Sequence, residues 1–255
     1  MSKRRASSWA AERELSGYIP CSPLPKKRWA RSTIFAEKGS VLEISWLESA
    51  ESTHLLLVNA IRSQRVSPPM AICARRQDSG VGSRGNRWEG GEGNLFLSFC
   101  LSGSALPKDL PRQSMSIYFS WLLKETLADF GSKVWLKWPN DFYVGRKKAG
   151  GTITAVLRED IVVCSIGLNL RSAPEKFATI DVEVDKNELL EAYFLKLKEE
   201  NFWKDIFIKY KVEFLLSTGY EYFDQATQKK RSLKEAVLQN DGSILIDNRR
   251  VYSLR

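Results

Sequence analysis

The stretch from Pro111 to Phe130 constrains the fold more than any other. Met115, Tyr118, Phe119, Leu122, Leu123, Leu127 and Phe130 recur at spacings of three and four residues, the period of one helix face, and Pro111 stands where a helix start tolerates it. Such a stripe needs an apolar cover. Strand-like runs follow: Val134 to Lys137, Gly151 to Leu157 and Ile161 to Leu170, the last two parted by Arg158-Glu159-Asp160 as in a hairpin. Ahead of the stripe, Val41 to Leu47 alternates as a strand, and Met70 to Ala74 is a short buried strand after Pro68-Pro69. Between them Glu51-Ser52-Thr53 opens a helix with Leu55, Leu56, Leu57, Ala60 and Ile61 on its apolar side. From residue 39 onward the pattern is therefore that of a mixed α/β domain. A second long helix is expected from Asn187 to about Leu216, its aromatic residues packing. Asp241-Gly242, between Ala236-Val237-Leu238 and Ile244-Leu245-Ile246, marks a hairpin in a small β module.

A chain of 255 residues, 43% hydrophobic and 27% charged, can bury one large core with a small appendage. Apolar runs such as Ile161-Val162-Val163-Cys164 fall far short of the roughly 20 residues that cross a bilayer, so no membrane span is expected. Lys3, Arg4 and Arg5 are followed by Glu12, Arg13 and Glu14 instead of the apolar stretch of a secretory signal, and a cytoplasmic location is expected. The early glutamates and prolines also weaken a likeness to an organellar transit peptide. Cys21, Cys73, Cys100 and Cys164 are too widely spaced for a CxxC site and read as buried free thiols. A single histidine, His54, excludes multi-histidine metal centres.

The net charge of +9 raises the question of nucleic acid, but residues 1–38 alone hold nine basic and three acidic residues. The surplus sits mainly in a Ser- and Pro-containing segment that reads as a poorly ordered basic extension, too short and irregular for a winged helix-turn-helix. A non-enzymatic basic nucleic-acid-binding protein stays open as an alternative; it requires the charge on one folded face.

Chemistry concentrates between Gln77 and Gly93. Gly80-Val81-Gly82-Ser83-Arg84-Gly85 fits GxGxxG, yet Asn86 to Gly93 continues the loop where a dinucleotide fingerprint would open a helix. What remains is a long loop rich in backbone N–H donors, with Arg84 and Arg87 adding charge and Trp88 a stacking face, able to wrap an anion. A second cluster, Lys137-Trp138-Pro139-Asn140-Asp141, ends a strand in a turn and is followed by Lys147-Lys148-Ala149-Gly150-Gly151, two lysines beside glycines that permit close ligand approach. Ser165-Ile166-Gly167-Leu168-Asn169 ends a buried strand with a small residue, a glycine and an amide, suited to a flat ligand.

Taken in order, these clusters resemble the biotin protein ligases, from about Leu42 to Arg255. Ser52-Thr53-His54 is similar to that family's Ser-Thr-Asn, Lys137-Trp138-Pro139-Asn140-Asp141 matches its signature in full, Lys147-Lys148-Ala149-Gly150 looks like its catalytic-lysine segment, and Gly167-Leu168-Asn169 looks like its Gly-Ile-Asn. The resemblance implies a catalytic domain over residues 39–217, built as a mixed sheet flanked by helices of the class II aminoacyl-tRNA-synthetase-like kind, and a small SH3-like β domain over 218–255. It implies an ATP-dependent ligase that makes biotinyl-5′-AMP and passes biotin to a lysine of a biotin carboxyl carrier protein, such as that of acetyl-CoA carboxylase, with Mg²⁺ accompanying ATP. The metal's ligands stay unassigned. Lys147 is expected to bridge carboxylate and phosphate, with Lys148 in its place if the register shifts by one. Arg84 would share the charge, and Asp141 would serve as base or fix the lysine. Ser52, Thr53, Gln77, Gly80, Gly82, Lys147, Gly150, Ser165 and Gly167 would hold biotin; Arg84, Arg87, Trp88, Asn140, Lys147 and Asn169 would hold ATP. Val81 and Ser83 stand at two of the family's loop-arginine positions, His54 at its Asn and Ser165 at a common glycine, which implies weaker retention of the adenylate. A lipoate or octanoate ligase of the same fold is the nearest alternative. No DNA binding is expected, and the chain would act as a monomer or homodimer.

Overall fold

The computed structural model of the chain describes residues 30–34, 42–81, 87–157, 160–224 and 227–252. Its elements are β1 (Ala30–Ile34), β2 (Leu42–Ala50), α1 (Thr53–Arg62), β3 (Met70–Val81), β4 (Arg87–Gly90), β5 (Leu95–Ser102), α2 (Met115–Asp129), β6 (Trp135–Lys137), β7 (Asp141–Val144), β8 (Lys147–Leu157), β9 (Ile161–Leu168), α3 (Lys186–Lys198), α4 (Trp203–Phe214), β10 (Glu221–Asp224), β11 (Lys229–Ser232), β12 (Val237–Leu238), β13 (Ile244–Ile246) and β14 (Arg249–Val251). The main sheet runs β1-β2-β3-β5-β9-β8-β7-β6, with β4 added beside the end of β3. Among the described strands only β2 and β3 pair in parallel, as the crossover through α1 requires.

Strand alternation divides the core. Ala71, Cys73, Leu97, Phe99, Val162, Cys164 and Ile166 enter the larger core beneath α2, α3 and α4, whereas Ile72, Ala74, Phe96, Cys100 and Val163 pack under Leu57, Val58 and Ile61 of α1. The expected mixed sheet flanked by helices is what the chain forms. The C-terminal strands make small antiparallel sheets whose Tyr222, Leu233, Ile244 and Ile246 join the larger core. Their docking depends on Trp138, fully buried, whose Nε1 donates to the Gly242 carbonyl at 2.9 Å, while Trp203 Nε1 donates to Asn240 O at 2.9 Å. Among the described residues no helix is long and apolar enough to cross a membrane.

Three expectations are corrected. Ala30–Ile34, assigned above to the basic extension, is an edge strand antiparallel to β2; residues 1–29 and 35–41 lie outside the described residues. The single helix expected from Asn187 to Leu216 is two. Asn201 Nδ2 donates to Lys196 O at 2.6 Å and closes α3, and α4 begins at Trp203, where the Asp109 carboxylate accepts from the Trp203 and Lys204 N–H groups at 3.1 and 3.0 Å. That cap comes from 94 residues away, so no local pattern could announce it. The glycine segment is not a continuous loop: its described ends are strands, Gly80 opposite Trp88 and Gln77 opposite Gly90, with one extra residue on β3. Residues 82–86 lie outside the described residues.

Asp109→Ala, by removing this cap, is expected to destabilise the fold by about 1 kcal/mol, read as a lower urea midpoint with unchanged slope.

Candidate active site

A cleft opens on the α1 side of the sheet, lined by Ser52, Thr53, His54, Gln77, Trp88, Asn140, Gly151, Ile153, Ser165 and Gly167 among others. Register explains the company. Ser98 lies opposite Ser165 on β5 and β9, and Ser165 and Gly167 lie opposite Ile153 and Gly151 on β8; directly paired residues share a face, so all point towards α1. Asp141 is opposite Gly151 and joins them.

The floor of the cleft is polar. Gln77 Oε1 accepts from the Thr53 N–H at 2.9 Å and lies 3.2 Å from Thr53 Oγ1. Ser98 Oγ stands 2.9 Å from Thr53 Oγ1 and 2.8 Å from Ser165 Oγ, and His54 Nδ1 lies 2.9 Å from Ser165 Oγ. Ser52 caps α1, its Oγ accepting from the Leu55 N–H at 3.4 Å. Burial, with the Arg62 guanidinium a lesser cause, pushes the His54 imidazole down to about 4, so it is neutral at pH 7.

Charge lies beside the Gly151 edge of the cleft. Lys148 Nζ donates to Asp141 Oδ1 at 2.6 Å, both side chains largely buried, and a Cβ on Gly151 would sit 3.2 Å from that oxygen and 3.5 Å from Lys148 Nζ. Gly151 lines the cleft, so the ion pair borders the cleft across this glycine without lining it. Lys147, the residue first assigned to the bridge, stays outside: its Nζ donates to the Glu175 carbonyl at 2.8 Å. The cause is a β-bulge. Phe142 pairs with Gly150 but Tyr143 pairs with Lys148, leaving Ala149 as the extra residue and turning Lys148, not Lys147, to the face of Gly151 and Asp141.

The other expected residues divide. Asn140 lines the cleft and its Nδ2 donates to the Thr152 carbonyl. Gly150 packs away from it, a Cβ there meeting Gly167 O at 2.6 Å, and a Cβ on Gly80 would meet Trp88 O at 2.5 Å. Both are held by close backbone approach. Asn169 is buried, its Nδ2 donating to Ala178 O at 3.0 Å and its Oδ1 unpartnered among the described residues. Trp88 leans over Gly167, where a Cβ would stand 2.9 Å from the indole, and its Nε1 is buried without a partner among the described residues. Gly82 and Arg84 lie outside the described residues, as does the Arg87 side chain. Ser98, a hydroxyl inside the apolar run Leu95 to Cys100, was missed, although a buried hydroxyl in such a strand must find a partner. Buried Cys73 and Cys100 thiols are pushed up to about 12 and 11, which keeps them protonated and unreactive at neutral pH.

The Biotin/lipoate A/B protein ligase family model matches residues 46–170. The biotin acetyl coenzyme A carboxylase synthetase of Helicobacter pylori, solved with biotinylated ATP, is 36% identical with a TM-score of 0.78, over 82% of this chain and 98% of that one. The Aquifex aeolicus biotin protein ligase, solved with biotin and ATP, is 25% identical with a TM-score of 0.66, over 83% and 95%. No curated protein sequence matches the chain. The chain belongs to the biotin protein ligase family.

As the only histidine, His54 can be titrated without assignment, and its ring protons should report a midpoint near 4. The unfolded imidazole takes its proton near 6.5, so the stability held by this group is complete above that pH. It is lost as pH falls towards 4, by about 3 kcal/mol in all, a slope absent from His54→Asn. A midpoint near 6.5 would show the ring to be solvated.

Proposed function

We propose that the chain joins the carboxylate of biotin to the α-phosphate of ATP, releasing pyrophosphate, and then passes the biotinyl group from the mixed anhydride to a lysine of a biotin carboxyl carrier protein. The observation that carries this reading is the polarity in and around the cleft: neutral hydroxyl, amide and imidazole groups line it, and an ammonium held by a carboxylate stands beside its Gly151 edge. A cyclic urea is an uncharged head with donors and an acceptor, which Ser52, Thr53 and Gln77 can complement beyond the bonds they make within the chain; an aliphatic or dithiolane acid offers that end of the cleft no hydrogen bond. That disfavours the lipoate alternative.

Two anions must meet for the first step. At about 4 Å they repel by roughly 4 kcal/mol at an effective dielectric near 20. Lys148 is the cation we assign between them, its Nζ aimed by Asp141. Asp141 is thus a positioning residue in adenylation and a candidate to accept the proton of the incoming lysine in transfer. Trp88, over the Gly167 backbone, offers the nucleotide base a stacking face, and Asn140 borders the same cleft. Arg84 and Arg87 remain proposed phosphate partners on sequence grounds. Among the described residues no three His, Cys, Asp or Glu side chains group as metal ligands. Magnesium would accordingly be held chiefly by phosphate oxygens and water. We place the reaction in the cytoplasm, supported by the free thiols Cys73, Cys100 and Cys164.

Biotin-dependent ATP–pyrophosphate exchange tests the reading. Lys148→Ala is expected to lose about 10²-fold or more, while Lys147→Ala stays within about threefold of the wild type, and lipoate supports no exchange. Retention by Lys148→Ala with loss by Lys147→Ala would reverse the lysine assignment; exchange with lipoate and none with biotin would overturn the substrate.

A further inference from the structure

We propose that His54 is a specificity-determining residue whose Nε2 accepts a hydrogen bond from one N–H of the ligand's cyclic urea head; the assignment rests on the biotin reading above. It follows from counting protons along the cleft floor. The Thr53 backbone N–H points at the Gln77 side-chain amide, and an N–H can only meet an acceptor, so the atom facing Thr53 is the amide oxygen. From that oxygen a chain of four side-chain contacts runs outward: to Thr53 Oγ1, on to Ser98 Oγ, on to Ser165 Oγ, and finally to His54 Nδ1, at 3.2, 2.9, 2.8 and 2.9 Å. Four hydrogen bonds need four protons. The three hydroxyls supply one each, and the amide oxygen supplies none. The fourth must come from His54 Nδ1. Ser98 Oγ is oriented to donate to Thr53 Oγ1 and to Ser165 Oγ alike but has one proton. Given to Ser165, it leaves the Ser98–Thr53 contact without a proton; given to Thr53, with Ser165 donating back to Ser98, it leaves all four contacts filled and every hydroxyl donating towards Gln77.

A neutral imidazole protonated at Nδ1 carries a lone pair at Nε2 and can only accept there. His54 lines the cleft, and among the described residues Nε2 has no hydrogen-bond partner. The floor therefore presents a fixed acceptor beside the Thr53 and Gln77 pair. Biotin's head offers two N–H donors; a lipoyl or octanoyl chain offers none. Ser165 holds the ring from below and sets its tautomer through the chain, so His54 and Ser165 act as one unit.

Two measurements decide the point. In the ¹⁵N spectrum of the full chain, whose single histidine needs no assignment, Nε2 should resonate as a bare nitrogen and Nδ1 as a protonated one, with saturating biotin moving Nε2 upfield. A protonated Nε2, or one that biotin leaves unmoved, overturns the proposal without recourse to any variant. Calorimetric affinities for biotin and for its two cyclic carbamate analogues, each with one N–H replaced by O, form a cycle with His54→Phe and His54→Asn. Wild type should bind one analogue about tenfold or more weaker than biotin, His54→Phe should not make that distinction, and His54→Asn, which keeps an acceptor, should recover part of it. Losses that simply multiply for both analogues overturn the His54 assignment while leaving the biotin reading intact. A wild-type chain that binds no biotin overturns both.

Discussion

The site depends on one cross-strand pair. Ser98 on β5 and Ser165 on β9 stand opposite each other and direct two hydroxyls out of otherwise apolar strands towards the start of α1. Buried hydroxyls left alone cost about 1–3 kcal/mol each, so their partners become obligatory. Thr53 and His54, the first residues of α1, supply them, and Gln77 ties the same helix start to β3. The helix is thereby fixed by its cap and polar first turn as well as by Leu57, Val58 and Ile61. A one-residue slip of β5 against β9 would turn the hydroxyls into the apolar core and remove the cleft floor at once.

A second local irregularity completes the arrangement. The bulge at Ala149 reverses the facing of the residues before it, and only then do Lys148 and Asp141 share the face that carries the hydroxyls. Asp141 is itself placed by what precedes it: Trp138 is locked into the core and against the Gly242 carbonyl, and Lys137 is buried beside the rings of Tyr143 and Tyr220. Within the Lys-Trp-Pro-Asn-Asp run, the first two residues therefore anchor structure, whereas Asn140 and Asp141 face the cleft region. The polar floor and the charged end sit on neighbouring strands of one sheet, so their separation is set by strand spacing rather than by loops.

Much of this was legible in the sequence. The α2 stripe, the β8–β9 hairpin and the start of α1 at Ser52-Thr53 follow from periods and caps that are local, and the fold implied by resemblance is the fold observed. The break between α3 and α4 was not legible because its cap, Asp109, arrives from across the structure. The resemblance put Lys147 first and Lys148 one register away; the bulge that turns Lys148 to the face of Asp141 and Gly151 has no sign in the sequence, since it shows only in which residues pair. Ser98 escaped notice, and His54 was read only as a departure from the family's Asn, for a related reason: their meaning lies in contacts spanning 67 and 111 residues to the same Ser165.

The central claim is that a neutral polar floor and an aimed ammonium hold the two ends of one ligand. A crystal structure of the chain with biotin tests it most directly. The account requires the urea ring on Thr53, Gln77 and His54, with the carboxylate turned past Gly151 towards Lys148. A carboxylate lying against Lys147, or a ring seated away from the Ser98–Ser165 pair, would contradict it.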